Sequence, residues 1–406
     1  MQRRLPTLFI LITLVINAMG IGLIIPVMPN LILEVRGGSL ADAALWGGIL
    51  STGFAVMQFL FGPTVGNLSD RFGRRPVLLT SLFVMAVDYL VMALAGSIWL
   101  LLLVRLIGGI TAATQSTAAA FMADTTPPEK RGAQFGLVSA AFGVGFILGP
   151  VIGGLLGDLG TRAPFYAAAA LAAANFVFGC FILPETVTDE TRRPFEWRRA
   201  NPLGALKNIS ALPGLRRLLA VYFLYQLSFN VYPVIWAYFT QARFDWDTRM
   251  IGLSLAAFGI SMALVQGGLI RITLARFGEL RTIVAGFIFG IVSFTLMAFV
   301  TSGAVALAFT PLAALAAMAA PALQSQMSRQ SPADAQGELQ GILTSVNALA
   351  LIVAPMLMTS VFAAATAPGA DIYLPGAPFL ASLVLAVIGL ALFMTCPHKR
   401  SQSRPA

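Results

Sequence analysis

The sequence predicts an all-α membrane protein of twelve transmembrane helices, arranged as two pseudo-symmetric six-helix bundles. Three observations carry that reading. Hydrophobic residues make up 58% of the 406 residues and charged residues only 11%, with a mean hydropathy of +0.83. That is too little polar surface to cover a water-soluble protein of this size. Apolar stretches of about 20 residues, enough to cross a hydrocarbon core of roughly 30 Å, recur along the chain. Finally, one offset of 205 carries Arg71 and Gly73 onto Arg276 and Gly278, Pro127 onto Pro332, Gly132 onto Gly337, Gly136 onto Gly341, and Pro150 onto Pro355.

The first span is expected at 6–30. Arg3 and Arg4 precede it as in a signal peptide, but the run continues through Pro26 to Leu33 without a small-residue cleavage site, so it reads as a retained span. Spans two and three, 44–65 and 76–96, flank a charged hairpin, Gly66-Asn67-Leu68-Ser69-Asp70-Arg71-Phe72-Gly73-Arg74-Arg75. Two glycines allow close backbone approach there, and the fixed charges offer a latch to neighbouring helices. Spans four to six follow at 98–121, 133–157 and 163–183, and spans seven to twelve at 217–240, 250–270, 280–300, 303–326, 337–363 and 374–396. The longest connection, 184–216, carries Arg192, Arg193, Arg198, Arg199, Lys207 and Arg216 and divides the chain into bundles at 1–183 and 217–406. An even number of spans puts both termini on one side. Of the 26 Lys and Arg, all but Arg36, Arg162, Arg243, Arg249 and the intramembrane Arg105 then fall on that side, which predicts cytoplasmic termini.

Composition excludes several function classes. The net charge of +9 sits in short turns rather than in a stripe, so nucleic acid is not an expected partner. Cys180 and Cys396 are too far apart in the chain to suggest a disulfide framework or metal site, and the only histidine, His398, is in the tail. No glycine loop leads to Lys-Ser/Thr, and no Ser-His pair or metal-ligand spacing occurs, so neither enzyme activity, a cofactor nor direct ATP drive is expected. Parallel repeats related by an axis along the membrane normal are a transporter design, with substrate near the midplane.

The residues also resemble a known family. The 66–75 hairpin resembles the loop between spans two and three of the major facilitator superfamily, and Arg105-Leu106-Ile107-Gly108-Gly109 resembles its fourth-span motif. Gly136, Gly145, Gly149, Pro150, Gly153 and Gly154 match the fifth-span motif associated with drug/proton antiporters. The segment from Asn17 to Pro29, Asp88-Tyr89-Leu90 and Ala123-Asp124-Thr125-Thr126 are similar to tetracycline/proton antiporters. The resemblance implies the major facilitator fold and proton-coupled efflux of a small amphipathic compound, and the compact loops point to a bacterial inner membrane. The chain departs from it in the first span, where Asn17 replaces the usual aspartate. Residues 250–270 also lack a histidine, and 280–300 lack an acid beyond the border. Alternatives are a uniporter or importer of a metabolite, and a non-transporting receptor on the same scaffold.

Each candidate residue has a physical reason. Asp88 and Arg105 are the only full charges well inside spans and lie at similar depth, a proton carrier beside its tuner. Asn17, Gln58, Arg105, Gln115, Gln226, Asn230, Trp236, Gln266, Gln324 and Asn347 are the expected cavity lining, accompanied by Tyr222, Tyr225, Tyr232 and Tyr238. For each polar residue, gluing one helix to another is the competing role. Gly66, Asp70, Arg71, Gly73, Arg74 and Arg75, with Asp124, form the expected latch, and Ala275 in place of an acid leaves it one-sided. The glycine–proline run of span five is expected to form a gating interface. The expected partners are a small-molecule substrate, protons and the lipid bilayer, with the chain a monomer.

Overall fold

The computed structural model describes residues 4–112, 114–127, 131–197, 201, 202, 204, 213–332 and 335–396. Arg3, Arg198, Arg199, Lys207 and His398 lie outside them. The described residues form helices and connections, with no strand among them. The first half runs α1 (Arg4–Ile24), α2 (Met28–Arg36), α3 (Leu40–Phe72), α4 (Arg74–Leu94), α5 (Ile98–Thr111), α6 (Thr114–Thr125), α7 (Arg131–Gly157) and α8 (Ala163–Ile182). The second runs α9 (Arg216–Phe229), α10 (Val231–Phe244), α11 (Thr248–Leu264), a π-helical turn (Val265–Leu269), α12 (Ile270–Phe299), α13 (Gly303–Ala308), α14 (Thr310–Ala316), α15 (Ala319–Gln330), α16 (Gln336–Thr366) and α17 (Ala377–Met394).

Among the described residues, eleven helical stretches are long and apolar enough to cross a membrane. One of them, Thr248–Phe299, has 52 residues. At 1.5 Å per residue that is about 78 Å, more than two hydrocarbon cores. Gly278, with φ 73°, breaks it inside α12, so it supplies two spans and the count reaches twelve.

Two spans are broken where continuous helices are expected. Span one divides between Ile24 and Met28, and span four between Thr111 and Thr114. The offset of 205 carries these breaks to the junctions of α9 with α10 and of α14 with α15. A broken helix leaves backbone polar groups unpaired, which a membrane tolerates only inside protein or beside a water-filled cavity.

The hairpin also differs from a free turn. Helix α3 runs on to Phe72, so most of the segment is helix projecting past the apolar span, and the turn itself is Gly73 (φ 110°) alone. The glycine conformation is required there, because L side chains rarely adopt that φ.

Helix α7 lies along α1, and α4 along α8. The two halves meet chiefly where α3 packs on α16 and α7 on α11. Burial follows the internal faces, while large apolar side chains such as Leu94, Trp99 and Phe181 are exposed on the outside, as expected of lipid-facing surface.

Candidate functional site

A cavity of about 440 Å³ lies between the halves. It is walled by α1 (Asn17, Ile21), α3 (Gly47, Phe54, Gln58), α4 (Ser81, Asp88, Tyr89), α5 (Arg105, Gly108), Phe142 of α7, the α9–α10 junction (Asn230, Val234, Tyr238) and α16 (Leu351, Pro355, Thr359). Asp88 and Arg105 are the only charged residues lining it among those described.

Two consecutive glycines place that pair. A Cβ at Gly108 would stand 2.8 Å from Asp88 Oδ1, so only glycine lets α4 bring the carboxylate against α5. A Cβ at Gly109 would stand 2.5 Å from the carbonyl oxygen of Phe54, so α3 touches α5 backbone to backbone. Asp88 is buried, and its Oδ1 has no hydrogen-bond partner among the described residues. Arg105 does not pair with it. Its guanidinium carbon instead sits 4.2 Å from the centre of the Phe54 ring, a cation–π contact.

The other expected lining residues divide. Asn17 and Asn230 face the cavity, and Asn230 Nδ2 also donates back to the Gln226 carbonyl at 2.7 Å. Gln58 lines it too, and donates to the Ala112 carbonyl at the break of span four, at 3.4 Å. The Gln115 side chain lies outside the described residues. Five others do not line the cavity. Gln226 donates to Asn347, Gln324 to the Tyr222 hydroxyl at 3.0 Å, and Trp236 Nε1 to Ser254 Oγ at 2.8 Å. These are contacts between helices, the competing role. Gln266 is exposed on the π-helical turn, away from the cavity. Of the four tyrosines named, Tyr238 lines the cavity, its hydroxyl buried in the space left by Gly47. Tyr225 and Tyr232 belong to an aromatic cluster with Phe229 instead.

On the side opposite the hairpin the halves are closed by two seams. In one, Gly252 of α11 has no room for a side chain because a Cβ would overlap the Pro150 carbonyl, and a Cβ at Gly154 would stand 2.7 Å from the Thr248 carbonyl. In the other, Thr359 and the Pro355 carbonyl of α16 fill the space beside Gly48, and Thr52 Oγ1 donates to the Ile352 carbonyl at 3.1 Å. Offset 205 relates the seams, taking Gly47 to Gly252 and Pro150 to Pro355. Gln241 Nε2 adds a link to Asn30 Oδ1 at 2.9 Å. A Cβ at Gly62, Gly66, Gly136, Gly267 or Gly268, toward the hairpin side, would meet open space. The seams thus close the cavity on the side away from the hairpin.

The span-five run serves two faces. Gly145, Gly149 and Gly153, four residues apart, form one stripe against α1; a Cβ at Gly149 would be 2.5 Å from the Met19 carbonyl. Gly154 and the Pro150 carbonyl face α11, while the Pro150 ring lies against Gly22 of α1. Gly136 packs against nothing among the described residues.

At the hairpin, Arg74 pairs with both Asp70 and Asp124, the latter at 3.1 Å. Arg75 donates to the Cys180 carbonyl at 2.8 Å, and Arg71 lies over the exposed Phe72 ring. Offset 205 takes Arg74 to Glu279 and Asp124 to Arg329, which pair at 2.9 Å. The second half thus carries an ion pair at the equivalent place with its charges inverted. The expectation of a one-sided arrangement, drawn from Ala275 alone, did not include this pair.

Sequence reasoning also missed Glu185. Its carboxylate accepts from the backbone N–H groups of Arg74 at 2.9 Å and Arg75 at 3.2 Å, so an acid from the inter-half connection caps α4. The neighbouring chain is tied down by Asn67, which donates to the Glu196 carbonyl at 2.7 Å. Proximity to the end of span six was the only signal in the sequence. Glu185→Ala should cost about 1 kcal/mol, read as a lower unfolding midpoint of the detergent-solubilised protein; an unchanged midpoint would remove the cap from the account.

Comparison with known proteins gives a consistent pattern. A model of the Major Facilitator Superfamily matches residues 10–355 and 218–406. The chain is 41% identical over 388 residues to the tetracycline resistance protein, class C, of Escherichia coli, covering 95% of this chain and 94% of that protein. It is 41% identical over 357 residues to the class D tetracycline resistance protein of Salmonella ordonez, covering 88% and 89%. Among solved structures, the human organic anion transporter MFSD10 (TETRAN) superposes with a TM-score of 0.70 at 26% identity, covering 96% of this chain and 99% of that one.

Proposed function

The chain belongs to the Major Facilitator Superfamily, and we propose that it exports a small, partly aromatic amphipathic compound, such as a tetracycline-like antibiotic, in exchange for protons. It is an integral membrane transporter and not an enzyme. We place it in a bacterial inner membrane with both termini in the cytoplasm, so the cavity faces the cytoplasm. Residues 1–183 and 217–406 act as the two rocking bundles and 184–216 as their connection.

The observation that carries this reading is the cavity itself. It is closed on one side by two pseudo-symmetric seams, and it holds one acid and one base that are not paired with each other. An acid able to hold or lose a proton beside the substrate makes the two ligands mutually exclusive, which is what exchange requires. Asn17, Gln58, Asn230 and Tyr238 offer neutral hydrogen-bonding groups on an otherwise apolar wall, suited to a bulky compound with few charges. The inverted ion pairs, Arg74–Asp124 and Glu279–Arg329, stand at equivalent places in the two halves, where like-charged copies would repel on closure and opposite ones attract.

Purified protein in proteoliposomes tests this with tetracycline as the probe. A proton gradient should drive tetracycline uphill, with proton movement in the opposite direction. A membrane potential of 100 mV with one pH unit supports about several hundred-fold accumulation per proton. Movement of tetracycline only down its own gradient, with no proton counterflow, would favour the uniporter.

A further inference from the structure

We propose that Phe54 is a positioning residue for proton exchange: its ring is the seat that holds Arg105 away from Asp88. The proposal rests on the antiport reading above for its biological meaning, but its geometry and its test stand apart from substrate identity.

Arg105 and Asp88 line the same cavity, on the adjacent helices α5 and α4, yet the guanidinium is stacked on Phe54 and Asp88 Oδ1 is left without a partner. An arginine beside an unsatisfied buried acid would ordinarily pair with it, since unpartnered polar atoms out of water are costly. Something must compete, and the ring is the group in contact. The register that delivers it is fixed by Gly109, where the missing side chain lets α5 rest on the backbone of Phe54 and on Met57. Arg105 is four residues earlier on the same face of α5. Spans two and four run in the same direction, and helical side chains lean toward their own N-termini, so the Phe54 ring and the Arg105 side chain lean the same way and meet one turn on.

Few other groups bear on Asp88. From α5 it faces Arg105, and on its own helix Tyr89 follows it. Helix α8 contains no charged residue, the one acid of α6 is Asp124 at the hairpin end, and the charges of α3 are Asp42, Asp70 and Arg71 near its ends. The choice made by Arg105, ring or carboxylate, is thus the main electrostatic variable at the site. With Arg105 on the ring, Asp88 holds its proton more readily; with Arg105 on the carboxylate, it gives the proton up.

The test is the pH titration of the protonated-carboxyl infrared band that disappears in Asp88→Asn, measured on the full-length purified protein without substrate. Phe54→Leu removes the ring, releases Arg105 onto Asp88 and should move the band's midpoint to lower pH by about one unit, tenfold in proton concentration. Phe54→Tyr keeps the π face and should restore the original midpoint. Phe54→Met, of similar bulk and without a ring, should behave like Leu and serves if the Leu variant does not fold. An unchanged midpoint in both ring-less variants, or a Tyr variant shifted as far as they are, overturns the proposal. Proteoliposome flux separates the two readings: a shifted band with no proton-driven flux in the unsubstituted protein sinks antiport and leaves the Phe54 seat standing.

Discussion

Asp88→Asn is expected to abolish uphill transport driven by a membrane potential of 100 mV with one pH unit, reducing accumulation from about several hundred-fold per proton to no net accumulation. Substrate-for-substrate exchange should survive. Asparagine keeps the shape that fits beside Gly108, so α4 and α5 can still pack as they do. What it cannot do is carry a proton between the two sides. The substitution also leaves Arg105 without the acid that balances it in the cavity, which should weaken binding of cationic probes more than neutral ones. Counterflow and gradient-driven uptake measured on the same vesicles separate the two effects. Full coupling in the variant would remove Asp88 from the mechanism and move attention to acids at the hairpin, such as Asp70 and Asp124.

That experiment depends on residues whose importance was legible in the chain, because a charge in an apolar span has few innocent explanations. The spans themselves were equally legible, since about 20 apolar residues cannot be left in water. Cavity lining was not. Gln226, Gln324, Asn347 and Trp236 are as polar and as central as Asn17 and Gln58, yet they bond to neighbouring helices. Sequence places a residue on a helix face but does not say whether that face meets a neighbour or a void, and membrane helices use amides for both. Phe54 was invisible for the opposite reason: an aromatic residue in an apolar span is the commonest thing there, and only its contact with Arg105 sets it apart. The inverted pair was recoverable in principle. The offset that matched glycines and prolines also matches Arg74 to Glu279 and Asp124 to Arg329, but a search for identical residues passes over a pair whose signs have been exchanged.

The second large effect is expected at Gly252. Gly252→Leu should leave the protein folded but lower transport by roughly 150-fold, by keeping the side opposite the hairpin from closing. A Cβ at Gly252 would already overlap the Pro150 carbonyl, and Gly154 lies against Thr248 with no side chain between. The further carbons of a leucine cannot be accommodated by rotamer changes, because what they meet is backbone. Forcing extra bulk into a packed contact costs up to about 3 kcal/mol, and here the cost falls on one conformation only. When the seam parts, as alternating access requires, the introduced isobutyl group would face the opening and the penalty would vanish. The equilibrium should therefore shift by that whole difference, about 150-fold, toward the conformation open on the other side. Labelling reports the shift directly. With Cys180 and Cys396 replaced by Ser, a cysteine introduced in place of the buried Thr248 should react slowly with a membrane-impermeant maleimide, and quickly once Gly252→Leu is added. Gly252→Ala should fall between, since it adds only the first of those atoms. A Leu variant with ordinary transport and slow labelling would mean that the seam does not open during the cycle, and alternating access through this cavity would have to be abandoned.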